Sequence, residues 1–401
     1  MGRVTAQNKA RMSQRSPLLQ QVDTLPELVR ELIDPLLRQA EALFSPVRSR
    51  ELQQVYLTGC GDSYHAGVNA EMAFSQLAGL PCRAATAMQF GRYIAPTIPP
   101  NSLVLAVSVS GMVSRTIEAL DLAGQAGALT AAVTGNRRAG LAEVGKTVLH
   151  TAVPALSGEL KGLILPGARS YIASQLALYL LAIQIGQDRR WLNKKMANVL
   201  RRELADTADQ MEAVIAAGDH AAREVVLAWQ KAQVFVYCGS GPNFGTALFS
   251  AAKLLEASGD TGTAQDMEEW AHLEYFAREP ATPTILISAG GRDQDRALEV
   301  ATAAKTIGRR LAIIAPLDSA LAGAAEDGLY FPLSGPVREC FSPMQACLPG
   351  LLLAAHRAEQ IGEVYFRGFG GGRSIKGGGG ISRIRKSHRL KTLPQNDIEV
   401  R

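Results

Sequence analysis

One strand-and-glycine signature occurs twice in this 401-residue chain. Val55-Tyr-Leu-Thr-Gly-Cys-Gly61 and Val234-Phe-Val-Tyr-Cys-Gly-Ser-Gly241 each run a short apolar segment into a turn with two glycines, and the offset from Gly61 to Gly241 is 180 residues. An apolar strand that ends in such a turn and leads into a helical pattern opens a β-α-β unit. A chain that makes this start twice, with room after each for several more strands, reads as an internal repeat of parallel sheets. At 401 residues it is long enough to bury two separate cores.

The rest of the pattern follows from the two starts. Strands are predicted at 54–58, 82–86, 103–108, 128–134 and 148–152 in the first half, and at 234–238, 261–265, 284–288, 311–315 and 329–332 in the second. Helices are predicted between them, with an apolar helix from Tyr171 to Ile185 closing the first set and one from Gln345 to Gln360 closing the second. The alternation defines an α/β fold. The predicted organisation is a leading segment at 1–50, a first domain at 51–190, a helical connector at 191–226, a second domain at 227–365 and a glycine-rich basic segment at 366–401. In the last of these, glycine runs at 370–372 and 377–380 precede Ile381-Ser-Arg-Ile-Arg-Lys-Ser387. That pattern suits either a flexible tail or a loop folding back over a site.

Composition removes several classes of function. Hydrophobic residues make up 47% and charged residues 20%, as in a soluble globular protein. The net charge of +5 is local, because Arg3 to Arg15 and Arg373 to Arg401 hold the excess while the body is mixed. A nucleic-acid partner would need a basic face interleaved with aromatic platforms, so none is expected. The apolar stretch at Tyr171–Ile185 carries Ser174, Gln175 and Gln184 and is short for a bilayer, so no membrane partner is expected either. No signal peptide is visible. The cysteines Cys60, Cys82, Cys238, Cys340 and Cys347 are odd in number with no CxxC pair. We expect them to be small core residues in a reducing, cytosolic setting.

Candidate chemistry gathers at the turns. Leu103-Val-Leu-Ala-Val-Ser-Val-Ser-Gly111 ends a buried strand in Ser108, Ser110 and Gly111, with Ser114 where the next helix begins. Gly61 and Ser63 occupy the same place after the first strand. A helix start offers unpaired N–H groups and partial positive charge, and nearby hydroxyls complete an anion site without a lysine. Taken singly, each serine is more often a helix cap. Together they point to a phosphorylated small molecule. A dinucleotide site is disfavoured, because Tyr64 stands where a third glycine belongs and Arg83-Ala-Ala-Thr-Ala-Met88 offers no acid. In the second half, Lys253 and Glu256 lie three apart on a helix, which ordinarily means a surface salt pair. His272 is ordinarily a hydrogen-bonded structural histidine. No second histidine lies nearby and HExxH spacing is missing, so neither metal nor other cofactor is expected. A glutamate and a histidine on opposite sides of a small sugar can divide acid and base work.

These residues resemble a family. Cys60-Gly-Asp-Ser-Tyr64, Ser108-Val-Ser-Gly111, the Lys253-x-x-Glu256 helix and His272, sixteen residues after Glu256, are similar to the SIS (sugar isomerase) family in its paired-domain type. That type includes the isomerase half of glutamine–fructose-6-phosphate aminotransferase and fructosamine-phosphate deglycases. The resemblance runs from about Ser16 to the C-terminus. It implies two flavodoxin-like, doubly wound parallel-sheet domains in tandem, a site formed between them, and a homo-oligomer whose second subunit often assists. It implies further that Ser63, Ser108 and Ser110 hold a sugar phosphate and that Glu256 moves a proton between C1 and C2. His272 would open the sugar ring or protonate a departing group, and Lys253 would hold Glu256 or a substrate oxygen. Val109 and Val113 stand where the family often has glutamine and threonine, leaving Ser114 to replace the lost hydroxyl. Arg383, Arg385 or Lys386 would take over the contacts of the family's C-terminal lysine loop, and Ser387 is a further expected substrate ligand. Met1-Gly-Arg is not followed by a cysteine-led amidohydrolase domain. Amine release from a fructosamine 6-phosphate is therefore the leading expectation, ahead of ketose–aldose isomerisation or amino-sugar-phosphate deamination. A non-catalytic phosphosugar sensor is the remaining alternative, disfavoured by the presence of Glu256 and His272.

Overall fold

Strands of a parallel sheet are covered by helices on both faces, so they read as unbroken apolar runs. Ser102–Val107 is such a run, and all six residues are buried. The computed structural model describes residues 15–325, 329–336 and 338–369. In chain order it holds α1 (Pro17–Asp23), α2 (Leu25–Leu43), α3 (Pro46–Glu51), β1 (Gln54–Gly59), α4 (Asp62–Leu77), β2 (Cys82–Thr86), β3 (Ser102–Val107), α5 (Ser114–Gln125), β4 (Leu129–Thr134), α6 (Gly140–Gly145) and β5 (Val148–His150). There follow α7 (Arg169–Asp188), α8 (Lys194–Ala228), β6 (Val234–Gly239), α9 (Pro242–Ser258), β7 (Thr261–Gln265), α10 (Met267–His272), β8 (Thr284–Ile287), α11 (Gln294–Thr306), β9 (Leu311–Pro316), β10 (Tyr330–Leu333) and α12 (Leu348–Ile361). Each predicted strand is present, displaced at its ends by no more than two residues.

The chain divides into two compact units. One comprises residues 34–152 and 176–198, and its sheet has the order β2-β1-β3-β4-β5, every neighbouring pair parallel. Phe90, Val104, Ala106, Leu120, Ala132 and Leu141 pack its core on one side of that sheet. The other comprises residues up to 33, 153–175 and 199–368, and its sheet has the order β7-β6-β8-β9-β10, again all parallel. Val236, Trp270, Leu286, Val300 and Ile313 lie in its core. Both sheets have the doubly wound flavodoxin-like order, in which the first strand sits beside the third and the chain winds outward in both directions. The switch points fall between β1 and β3, and between β6 and β8. Crevices at the carboxyl ends of such strand pairs are where ligands of this architecture bind.

The apolar segment at Tyr171–Ile185 is the buried helix expected, with Ile172, Leu176, Leu180 and Leu181 fully buried in α7. Among the described residues no helix is long and apolar enough to cross a membrane. Cys238, Cys340 and Cys347 are buried as expected, but Cys60 is exposed, because it lies in the turn after β1 rather than on the strand.

Helix α9 rides unusually close to its neighbours. A Cβ added to Gly262 on β7 would come within 2.5 Å of the Ala251 carbonyl oxygen and 2.8 Å of its Cα, both backbone atoms of α9. One added to Gly350 on α12 would lie 2.6 Å from Ser250 Cβ. Gly262→Ala therefore overpacks this contact and should lower the unfolding free energy by about 1–3 kcal/mol in urea titration. Gly124→Ala on α5, where only Thr130 Cγ2 at 4.0 Å meets the new methyl, should raise it by about 0.5 kcal/mol. Equal effects at the two positions would contradict the packing.

Candidate functional site

The turn after β1 is shaped by two glycines. Gly61 has φ +56° and ψ −131°, a conformation costly for a side chain, and it precedes α4 directly. The Tyr64 and His65 amides donate to its carbonyl at 2.8 and 3.0 Å. A Cβ on Gly59 would meet the Ser63 carbonyl carbon at 2.9 Å and the Val107 carbonyl oxygen at 3.0 Å. The first turn of α4, which carries half-buried Ser63, is thus pressed against the ends of β1 and β3. Asp62 lies in the same turn, where a helix N-terminus favours a carboxylate.

The turn after β3 supplies the second half of this edge. The Ser108 amide donates to the Val133 carbonyl at 3.0 Å, and the Gly111 amide to the Ser108 carbonyl at 3.0 Å. Gly111 has φ +67°, and a side chain there would run into Ala139 Cβ at 2.6 Å and Thr134 Oγ1 at 2.9 Å. Ser108 is only 3% exposed, and its hydroxyl has no hydrogen-bond partner among the described residues. Buried hydroxyls are normally satisfied, so this one is available to a ligand or a water. Ser110 is exposed and its Oγ accepts from the Met112 amide at 3.2 Å. Val113 is the N-cap of α5; its side chain makes no cap bond, its carbonyl accepts from the Thr116 and Ile117 amides at 2.9 and 3.1 Å, and half-buried Ser114 opens the helix.

The corresponding edge of the other sheet repeats the backbone and changes the chemistry. Gly241 has φ +54° and ψ −129°, within two degrees of Gly61 in both angles. Here, however, Ser240 Oγ donates to Asp266 Oδ2 at 2.7 Å. Ser288 Oγ donates to Asp293 Oδ1 at 2.9 Å. Protein carboxylates already take the hydroxyls that the first edge leaves open. Burial, reinforced by the nearby Glu339 carboxylate, pushes the Asp293 carboxyl up to about 6, against the opposing pull of the Ser288 hydroxyl. Reading the sequence missed Ser288 and Asp293. The signal was present, since Ser288 lies 180 residues after Ser108, the same offset as the paired glycines.

On α9, Lys253 and Glu256 are in contact, with Nζ 2.5 Å from Oε2. The pair is not the surface bridge that its spacing suggested. The Lys253 side chain is 1% exposed and that of Glu256 31%. Lys253 falls on the helix face shared with buried Phe249, Ser250 and Ala257, one helical turn from each. Its Nζ also lies 5.2 Å from the centroid of the Phe249 ring. His272 ends α10 with its side chain 68% exposed, and Nε2 is 3.2 Å from Glu268 Oε1. The other oxygen of Glu268 is 2.8 Å from Arg296 Nε. His272 is therefore exposed, with Glu268 as its hydrogen-bond partner. Arg383, Arg385, Lys386 and Ser387 lie outside the described residues. No group of three His, Cys, Asp or Glu side chains among the described residues is placed to hold a metal ion.

Tandem doubly wound sheets, each beginning with a two-glycine turn at its switch point, define a class of α/β protein that binds ligands at the carboxyl ends of its strands. Residues 50–184 match the SIS domain family. It is 27% identical over 325 residues to the glutamine–fructose-6-phosphate aminotransferase [isomerizing] of Synechocystis, covering 79% of this chain and 50% of that one. The chain spans about half the length of the curated relatives it matches. Its fold is similar to the C-terminal domain of glucosamine-fructose-6-phosphate aminotransferase from Francisella tularensis, with a TM-score of 0.75, 17% identity, and 87% and 98% of the two chains covered. It is also similar to the tagatose-6-phosphate ketose/aldose isomerase of Escherichia coli, at TM-score 0.70 and 17% identity over 89% and 96%.

The Asp293 environment yields a stability prediction. An Asp whose folded value is raised to about 6, from about 3.9 when unfolded, binds protons more tightly in the native state. Stability is thus lost as pH rises between those two values and stays lost above them. Asp293→Asn should gain melting temperature over the native chain progressively from about pH 4 to about pH 6, with a level difference above that. A variant less stable than the native chain at pH 7 would contradict this.

Proposed function

We propose that this chain is a phosphosugar enzyme that moves a proton between C1 and C2 of an open-chain substrate, and that the substrate carries an amine on C1, as in a fructosamine 6-phosphate. The observation that carries the proposal is the Lys253–Glu256 pair. An exposed ion pair is solvated, mobile and worth little. Here a fully buried ammonium fixes one carboxylate oxygen, while about a third of the Glu256 side chain stays open to an approaching molecule. That is the arrangement a general base needs: one preferred orientation and access from one side.

The chemistry balances without an added redox partner. Glu256 takes a proton from C1 and the electrons form the C1=C2 double bond of an enaminol, as the C2 oxygen is protonated. Return of a proton to C2 gives the C1 imine, and water adds to it to release the amine. Ketosamine phosphate and water thus become aldose phosphate and amine. His272 is the proposed partner for ring opening or for the proton on the departing nitrogen. Ser63, Ser108, Ser110 and Ser114, with the leading amides of α4 and α5, are the proposed phosphate ligands, Gly61 and Gly111 giving the turns their shape. The name of the Synechocystis relative, an isomerizing aminotransferase of a phosphosugar, supports the joining of nitrogen and isomerisation in one reading. A substrate without nitrogen would undergo ketose–aldose isomerisation by the same proton shift and without the water.

Two variants test the assignment. Glu256→Gln should lower kcat on fructosamine 6-phosphates about 10²- to 10⁴-fold while substrate still binds in calorimetry. Ser108→Ala should raise KM for the phosphorylated substrate roughly tenfold or more, as expected for loss of a hydrogen bond to a charged group. Its unfolding free energy should change by less than about 0.5 kcal/mol, because the hydroxyl has no partner to lose among the described residues. Turnover confined to ketose phosphates lacking nitrogen would overturn the amine assignment, and full activity in Glu256→Gln would remove the base.

A further inference from the structure

We propose that Phe249 and Tyr171 are positioning residues for this centre, a stacked aromatic pair that holds the Lys253 ammonium against Glu256. The proposal rests on the reading of Glu256 as the general base. A buried ammonium is costly unless its charge is met by partners. Glu256 meets it from the partly open side. Phe249 meets it along the helix, since residues 249, 253 and 256 follow one another at spacings of four and three on one face of α9. The Lys253 Nζ lies 5.2 Å from the Phe249 centroid, within the range over which a ring face attracts a cation.

Tyr171 fixes the plane of that ring. Its own ring lies 3.7 Å from Phe249, centroid to centroid, at an interplanar angle of 4°. Phe249 is fully buried and Tyr171 is 1% exposed, so neither ring has room to swing aside. A near face-to-face stack is the geometry that ring quadrupoles disfavour. A cation beside the Phe249 ring offsets that repulsion, so stack and ammonium support each other. The order of dependence is Tyr171, Phe249, Lys253, Glu256. Only the last touches the reacting carbon in the proposed reaction, and the two rings act through the lysine.

Three readouts test this. Phe249→Leu, which keeps the site apolar but removes the ring face, should lower kcat about tenfold with KM within about twofold. In a Lys253→Met background the same substitution should cost no further kcat, because its route to Glu256 is already cut. Tyr171→Leu should behave like Phe249→Leu, and Tyr171→Phe, which keeps the ring, should recover most of the loss. A purely structural role would instead cost the same in both backgrounds, and that result would overturn the proposal.

A further readout does not depend on turnover. In protein labelled with ¹³C-lysine, the Lys253 ε-methylene signal, assigned by its loss in Lys253→Met, should lie upfield of the other lysines and return to their position in Phe249→Leu. A signal that Phe249→Leu leaves in place overturns the ring contact whether or not any sugar is turned over. A shifted signal with no phosphosugar turnover in the native chain would refute the functional reading and leave the ring contact standing.

Discussion

An ammonium group removed from water must be answered locally, and in this chain the requirement falls on α9. Lys253 is buried, and Glu256 and the Phe249 ring face its charge. The helix that carries this group is also closely packed. Gly262 on β7 and Gly350 on α12 lie where no side chain fits, and α9 closes against both. The same closeness keeps the helix in register with the end of β6, where Gly239 passes the Asn243 carbonyl at a distance no Cβ allows. The carboxylate thus stands on a rigid element rather than a loop, which is how a reactive group is kept in one geometry.

The two sheets show how one backbone serves two purposes. The glycine turns before α4 and α9 agree within two degrees in both angles, and each sheet has the same strand order. Yet the first edge leaves the Ser108 hydroxyl buried and without a partner among the described residues, while the second ties Ser240 to Asp266 and Ser288 to Asp293. Carboxylates in the second edge occupy hydroxyl donors of the kind that an anion takes in the proposed phosphate site. The fold therefore explains where a ligand can sit in either sheet. Only the side chains distinguish the two edges chemically.

The fold was legible in the sequence because parallel strands have no polar face to confuse the pattern. The run at 103–108 and the observed β3 at 102–107 differ by one residue at each end. The closing helix expected at 345–360 instead breaks at Cys347 into a short turn and α12, because Pro349 in the first turn of α12 is suited to a helix start rather than an interior. The site was legible only in part. A lysine three residues before a glutamate looks like a surface pair, and nothing in that spacing reveals that position 253 faces the core with Phe249 and Ala257. His272 was expected either as a hydrogen-bonded structural histidine or as a proton carrier. The structure places it in the open beside Glu268, four residues earlier on α10, a pairing that helical spacing alone predicts. Ser288 and Asp293 were missed because the internal repeat was followed through its glycines and not through its serines.

The central claim is that Glu256 draws a proton from C1 before the nitrogen leaves. Fructosamine 6-phosphate carrying two deuterons on C1 tests it most directly, with the products followed by NMR. The account predicts an aldose phosphate that keeps one deuteron on C1, has gained a hydrogen isotope on C2, and is not formed by Glu256→Gln. A ketose product that retains both C1 deuterons, or the same release from Glu256→Gln, would contradict it.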